Sequence, residues 1–164
     1  MLKSAFFTGH RNYTNLEAGI NSLIDFAIFR NINHFYVGMA LGTDLTAAKI
    51  LSDRYLRWTA VIPFPEQTER WNQAEKMLYE QLLPHSLERV TLYPEYQHKA
   101  YHVRNQYMIE RSELCLAVYD GRQIGGTANV VRNVENSGKD LIIYNPQSGH
   151  FTKSIQALKT SIFE

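Results

Sequence analysis

Leu114-Cys115-Leu116-Ala117-Val118-Tyr119-Asp120-Gly121-Arg122-Gln123-Ile124-Gly125-Gly126-Thr127-Ala128-Asn129-Val130-Val131 decides how the chain is read. Its first six residues are apolar or aromatic without interruption, the pattern of a strand buried on both faces. A stretch with three glycines follows. Thr127, Val130, Val131 and Val134 then recur at helical spacing until Ser137-Gly138 closes the segment. Strand, glycine loop and helix in that order form the repeating unit of a parallel sheet covered by helices.

Working outward, five further short runs have the strand composition: Ser4 to Phe7, His34 to Val37, Trp58 to Ile62, Arg89 to Leu92 and Leu141 to Tyr144. Between them Leu16, Ile20, Leu23, Ile24 and Ala27 keep helical spacing, as do Trp71, Ala74, Leu78 and Leu82, and finally Ile155, Leu158 and Ile162. Tyr93 to Lys99, with Pro94, reads as a loop over the sheet edge or pocket rim. The expected architecture is α/β and Rossmann-like: a mostly parallel sheet of about six strands with helices on both faces, in one domain over residues 1–164. The expected strand order resembles 3-2-1-4-5-6, with a pocket near the first strand.

The 164 residues are 45% apolar and 20% charged, a globular composition. Seventeen basic against sixteen acidic side chains leave a formal charge of +1, so no global field draws in nucleic acid or anionic membrane, and any anion site must be local. The single cysteine, Cys115, sits in an apolar run and reads as a small core hydrophobe. The N-terminal residues lack a leader pattern, and no apolar run reaches membrane-spanning length. The expectation is a cytoplasmic protein.

In an open α/β sheet, ligands bind beyond the carboxyl ends of the strands. Three loops there carry unusual residues. Thr8-Gly9-His10-Arg11 combines a close-approach glycine, a hydroxyl and two potential cations, of which arginine can grip phosphate bidentately. Gly38-Met39-Ala40-Leu41-Gly42-Thr43-Asp44 turns tightly into a helix whose N-terminus is expected to face the pocket, with Asp44 either capping that helix or accepting from ribose hydroxyls. Asp120 to Thr127 ends in a Gly125-Gly126-Thr127 nest suited to phosphate. It has no P-loop lysine, and no Gly-x-Gly-x-x-Gly occurs in the chain, which argues against an ordinary ATPase or dehydrogenase.

A fourth element, Arg104-Asn105 through Ser112, places Arg104, Met108 and Arg111 on one helical face; the arginines either reach the ligand or pair with Glu110 or Asp120. Gln67 and Trp71 follow the third strand and are candidates for contact with a base, although Trp71 reads first as a core anchor at helical spacing with Ala74 and Leu78. His10 either carries charge beside phosphate or holds its loop through a backbone hydrogen bond. His98 and His102 would make a metal pair only if the helix began before them, and no third ligand accompanies them, so no metal site is expected. Tyr93, Tyr96, His98, Lys99, Tyr101, His102, Arg104 and Tyr107 interleave aromatics with bases, a composition that can bind single-stranded nucleic acid.

Taken in order and spacing, Thr8-Gly9-His10-Arg11, Gly38-x-Ala40-Leu41-Gly42-x-Asp44, Pro63-Phe64 with Gln67 and Trp71, Arg104-Asn105-x-x-Met108, and Tyr119-Asp120-Gly121 leading to Gly125-Gly126-Thr127 resemble the SLOG superfamily. This is the Rossmann-like group related to the Smf/DprA and LOG proteins, and the similarity is to its YpsA-like (DUF1273) family. The resemblance implies a Rossmann-like sheet and a nucleotide site lined by those loops. In the similar LOG enzymes, which hydrolyse nucleoside monophosphates, a glutamate stands three residues after the threonine; here that position is Val130, which offers no carboxylate.

Three functions are therefore carried forward. The first is binding or sensing of a nucleotide or nucleotide-derived molecule, with no other cofactor expected. The second is hydrolysis of a nucleotide N-glycosidic or phosphate bond, with Asp44 or Asp120 as base and Arg11 or Arg104 stabilising charge. The third is single-stranded nucleic-acid binding. The candidate ligand contacts are Thr8, Gly9, His10, Arg11, Gly38, Gly42, Thr43, Asp44, Gln67, Arg104, Asn105, Asp120, Gly125, Gly126 and Thr127, and Asp44, Asp120 and Arg104 are the catalytic candidates. A membrane partner is not expected. A homo-oligomer through an exposed helix face is compatible with the sequence, although no residue run marks one.

Overall fold

The computed structural model describes residues 1–155. Seven strands form one sheet: β1 (Ser4–Gly9), β2 (His34–Val37), β3 (Trp58–Ile62), β4 (Glu88–Thr91), β5 (Leu114–Val118), β6 (Asp140–Tyr144) and β7 (Phe151–Ser154). The helices are α1 (Glu17–Phe29), α2 (Thr43–Asp53), α3 (Gln73–Leu82), α4 (Ala100–Arg111) and α5 (Gly126–Asn136). The spatial order is β4-β3-β2-β1-β5-β6-β7, parallel throughout except for the β6–β7 pair.

Strand alternation feeds two core layers. Phe6 lies opposite Cys115 and Phe7 opposite Leu116 in the β1–β5 register. Ala5 and Phe7, with Leu114, Leu116 and Val118, point into the larger core, which takes Ile20 and Leu23 of α1, Ala48 of α2 and Leu82 of α3. Phe6, Cys115 and Ala117 point the other way, onto Met108 of α4 and Val130, Val131 and Val134 of α5. Cys115 is a core residue, its thiol pushed far up by burial. Both faces of the central strands are covered, which is why their sequences are apolar without alternation.

The architecture is the α/β, Rossmann-like one, but the strand order departs from the expected 3-2-1-4-5-6. β4 pairs with β3, Val61 opposite Val90, and sits at the edge instead of beside β1. The reason is in its composition: Glu88, Arg89 and Thr91 are exposed, and next to β1 they would have been buried on both faces. The wholly apolar β5 takes the central place.

Other boundaries move by a residue or two. β1 runs on through Thr8 and Gly9, β4 covers residues 88–91 instead of 89–92, and β5 stops at Val118. Trp71 lies outside α3, because an Asn72–Glu75 capping box starts that helix at Gln73. Trp71 packs edge-on to Tyr79 at 5.6 Å between ring centroids. The strand β7 was not expected. Of the helix anticipated through Ile155, Leu158 and Ile162, the last two residues lie outside the described residues. Among the described residues no helix is long and apolar enough to cross a membrane.

Candidate functional site

The carboxyl ends of β1 and β5 part from one another because β1 continues into α1 on one face and β5 into α5 on the other. A cleft of about 340 Å³ opens at this point, between the loop after β1, the loop before α2, the middle of α4 and the start of α5.

Its floor is set by two loops pressed together. Gly42 has φ of 75°, and a Cβ there would run into the Arg11 carbonyl, so only glycine fits. Thr43 gives both its backbone N–H (3.3 Å) and its hydroxyl (2.9 Å) to the His10 carbonyl. Two N–H groups at the start of α2 are thus engaged within the protein, that of Thr43 and that of Leu45, which donates to the Ala40 carbonyl at 3.2 Å. Asp44, one residue on, is buried and lines the cleft; its Oδ2 accepts from the Ala40 N–H at 3.1 Å, which pins the loop. Burial raises the Asp44 pKa, against the pull of the Arg104 and Arg11 guanidiniums.

Arg104 of α4 is buried yet reaches the cleft. Its Nη1 donates to the Gly38 carbonyl at 2.7 Å and its Nε to Asn105 Oδ1 at 2.8 Å. Burial lowers its pKa, with the nearby Asp44 opposing, but a guanidinium stays charged. Both guanidiniums approach the Tyr101 ring, whose centroid is 5.6 Å from the Arg104 guanidinium carbon and 5.9 Å from that of Arg11. Arg111, expected on the same helical face, sits nearly two turns further on. It is exposed, stacked 3.6 Å from the Tyr107 ring centroid and 3.8 Å from the Glu110 carboxylate.

On the far wall, His10 is buried and holds its loop through the backbone: the Asp120 N–H donates to His10 Nε2 at 3.2 Å. Desolvation lowers the His10 pKa, against the pull of the Asp120 carboxylate 3.1 Å from the same nitrogen. Asp120 itself receives the Tyr13 hydroxyl at 2.7 Å, Arg122 Nη2 at 2.6 Å, Arg122 Nε at 3.0 Å and the Arg122 N–H at 3.1 Å. These donors, Arg122 foremost, hold its carboxyl well below the usual range.

The start of α5 completes the wall. No side chain caps its first turn and no acidic residue lies there, in contrast to the full capping box on α3. Gly125 has φ of 121°, which demands glycine. Gly126 has no such need, and beyond its chain neighbours and its own helix backbone no atom lies within 4 Å of where its Cβ would be. The cleft wall is therefore bare backbone with N–H groups directed outward, beside three arginines and one carboxylate.

Thr8, Gly9, His10, Arg11, Asp44, Arg104, Asn105, Gly125, Gly126 and Thr127 all line this one cleft. Gly38, Gly42, Thr43 and Asp120 stand behind it as supports. Gln67 does not join them: it is buried beyond Met39, with long contacts of 3.5 Å to the Met39 carbonyl and 3.4 Å to the Tyr79 hydroxyl. Sequence reasoning missed Asn12 and Arg122 as lining residues. Arg122 is the sole cation between Asp120 and Thr127, a signal that was available. His98 precedes α4, so it shares no helical face with His102, and no group of three or more metal-ligating side chains converges among the described residues.

The fold recurs in solved structures. DNA processing protein A from Streptococcus pneumoniae superposes with a TM-score of 0.67 at 15% identity, over 87% of this chain and 50% of that one. DNA processing protein A from Helicobacter pylori, described for its single-stranded DNA binding mode, gives 0.65 at 14% identity, over 98% and 72%. In sequence, a UPF0398 protein of Bacillus pumilus is 31% identical over 111 residues, 63% of this chain and 60% of that protein. The SPbeta prophage-derived protein YoqJ of Bacillus subtilis is 33% identical over 112 residues, 58% of this chain and 66% of that protein. The matched segment thus spans roughly three fifths of the first of these relatives. The family model YpsA, described as the YspA SLOG family, matches residues 5–149, and the chain belongs to that family.

Proposed function

We propose that the cleft binds a phosphate-bearing, nucleotide-derived small molecule and that the protein acts as a binding or sensing module for it. The observation that carries this reading is the bare N-terminus of α5 at Gly126, facing a cleft lined by Arg11, Arg104 and Arg122. Backbone N–H groups, a helix dipole and guanidinium groups are among the means by which proteins hold phosphate, and here they line one cleft. Asp44 lies on the same cleft and supplies an acceptor for sugar hydroxyls. The structural likeness to a protein described for single-stranded DNA binding is in keeping with nucleotide chemistry on this fold.

The test is calorimetric titration with a panel of 5′-nucleoside mono- and diphosphates against the wild type and Gly126→Glu. The substitution sets a carboxylate where the phosphate would lie, and affinity should fall at least about tenfold, the equivalent of about 1.4 kcal/mol. Equal binding by both proteins would refute the reading.

A second reading, hydrolysis of a nucleotide bond, is favoured by Asp44 alone. It is buried on the cleft with a raised pKa, the tuning a general base requires, whereas Asp120 is saturated with donors and depressed. It predicts that nucleotides incubated with the protein are converted to products, and that Asp44→Asn keeps binding while abolishing turnover. Nucleotides recovered unchanged from the wild type would refute it.

A further inference from the structure

Beside the anion cleft runs a second hollow of about 190 Å³ between α4 and α5, and the two share Asn105 and Gly126. Its walls differ in kind from the cleft's. Four carboxamides, from Asn105, Gln106, Asn129 and Asn133, line it, together with Tyr101.

The orientation of these amides follows from their neighbours. Arginine only donates, so Arg104 Nε fixes the Asn105 carbonyl toward itself and Arg132 does the same for Asn129, leaving both NH₂ groups for the hollow. A carboxylate accepts, so Glu110 draws the Gln106 NH₂ at 3.2 Å. The Gln106 carbonyl then takes the Asn133 NH₂ at 3.1 Å, which leaves the Asn133 carbonyl as an acceptor. The hollow offers amide donors and an amide acceptor, with the Tyr101 side chain also on its lining.

Resting on the phosphate reading of the neighbouring cleft, we infer that this α4–α5 hollow is the nucleobase subsite of the same ligand, and that it takes a base whose edge carries one amine donor flanked by ring acceptors, of the adenine kind. Amide pairs recognise that edge bidentately. The Watson–Crick edge of guanine, with two donors and one acceptor, meets the wrong complement, and the polar groups left unpaired in the contact weaken binding. Arg104 and Asn105 join the two compartments: one guanidinium faces the phosphate and, through its neighbour's amide, sets the donor that faces the base.

The experiment compares calorimetric titrations of AMP, GMP and ribose 5-phosphate with the wild type, Asn129→Ala and Asn133→Ala. Asn129 is exposed on α5, so its alanine variant keeps the fold even if the half-buried Asn133 variant does not. The expected result is AMP bound at least about tenfold more tightly than GMP or ribose 5-phosphate, with that advantage reduced at least about threefold in Asn129→Ala and ribose 5-phosphate binding unchanged. Equal affinity for AMP and ribose 5-phosphate, insensitive to both substitutions, overturns the base subsite while leaving the phosphate cleft standing. GMP bound as tightly as AMP overturns the edge assignment. Failure of all three to bind overturns the phosphate reading, and the subsite with it.

Discussion

Arg104 and Gly38 are fitted to one another: Nη1 of the arginine donates to the glycine carbonyl at 2.7 Å, and a Cβ on Gly38 would lie 2.9 Å from both Cδ and Nη1. The glycine is what lets a buried guanidinium lie flat against the end of β2 and still face the cleft. Gly38→Ala should push Arg104 out of place, at a cost of about 1–3 kcal/mol in stability from overpacking and with a clear loss of nucleotide affinity. Arg104→Lys should lose affinity as well, since a single ammonium cannot make the Gly38 and Asn105 bonds of the fork together. Thermal melts alongside calorimetry check both. Unchanged affinity in both variants would remove Arg104 from the site.

Gly9 and Gly126 should respond in opposite ways. A Cβ on Gly9 would overlap Thr43 Oγ1 and Cβ, where α2 meets the end of β1, so Gly9→Ala should lower stability by at least about 1–3 kcal/mol. Gly126→Ala meets no atom within 4 Å beyond its chain neighbours and its own helix backbone and should melt within about 0.5 kcal/mol of the wild type, while weakening phosphate binding by crowding the backbone donors. A pair of denaturant curves and two titrations decide it. A destabilised Gly126→Ala would mean that the glycine serves the fold.

Stability should fall on mild acidification. His34 is buried between Ser4 Oγ at 2.8 Å and Thr59 Oγ1 at 2.7 Å, across three strands, and burial lowers its pKa, with Arg57 adding to the effect. The folded state thus holds His34 neutral below 6.5, its ordinary value, while the unfolded chain binds the proton. The unfolded state carries more protons in the window from 6.5 down to the depressed folded value, so stability rises with pH there: it is fully present above 6.5 and is lost as pH falls through that window. His10, also lowered by burial, acts in the same sense. Urea midpoints measured from pH 7.5 to 5 should decline, with a shallower slope in His34→Gln. A flat wild-type profile would contradict this account.

Salt separates the nucleotide reading from single-stranded nucleic-acid binding. A site built around one phosphate group releases few counterions, and its affinity should change only modestly between 50 and 200 mM salt, whereas a strand spread over six to ten phosphates would lose about three to five orders of magnitude. Titrations of AMP and of an oligothymidylate at both salt concentrations check this. Tight, steeply salt-dependent oligonucleotide binding would favour the aromatic and basic surface around Tyr96, Lys99 and Tyr101.

The legible parts of this protein are those where one physical requirement dominates. β2 and β3 fall where their apolar composition puts them, and the Thr8–Arg11 and Gly125–Thr127 loops stand at carboxyl ends of neighbouring strands because strand-to-helix turns in a parallel sheet have nowhere else to go. β7 was illegible because Phe151-Thr152-Lys153-Ser154 is an exposed edge strand whose only strand signal is its pairing with β6. The central place of β5 over β4 was readable in principle from the charges Glu88 and Arg89. Helical spacing alone put Arg104 and Arg111 on one face, but nearly two turns separate them, and only packing against Gly38 or Tyr107 decides which one is buried. The link from Tyr13 through Asp120 to His10 spans more than a hundred residues, and no local pattern announces it.

The most direct measurement is native mass spectrometry of gently purified protein, wild type and Gly126→Glu in parallel, followed by denaturation and identification of what each releases. The account predicts a phosphate-bearing nucleotide derivative carried by the wild type and absent from Gly126→Glu. The same molecule recovered in equal amount from both, or a ligand without phosphate, would contradict it.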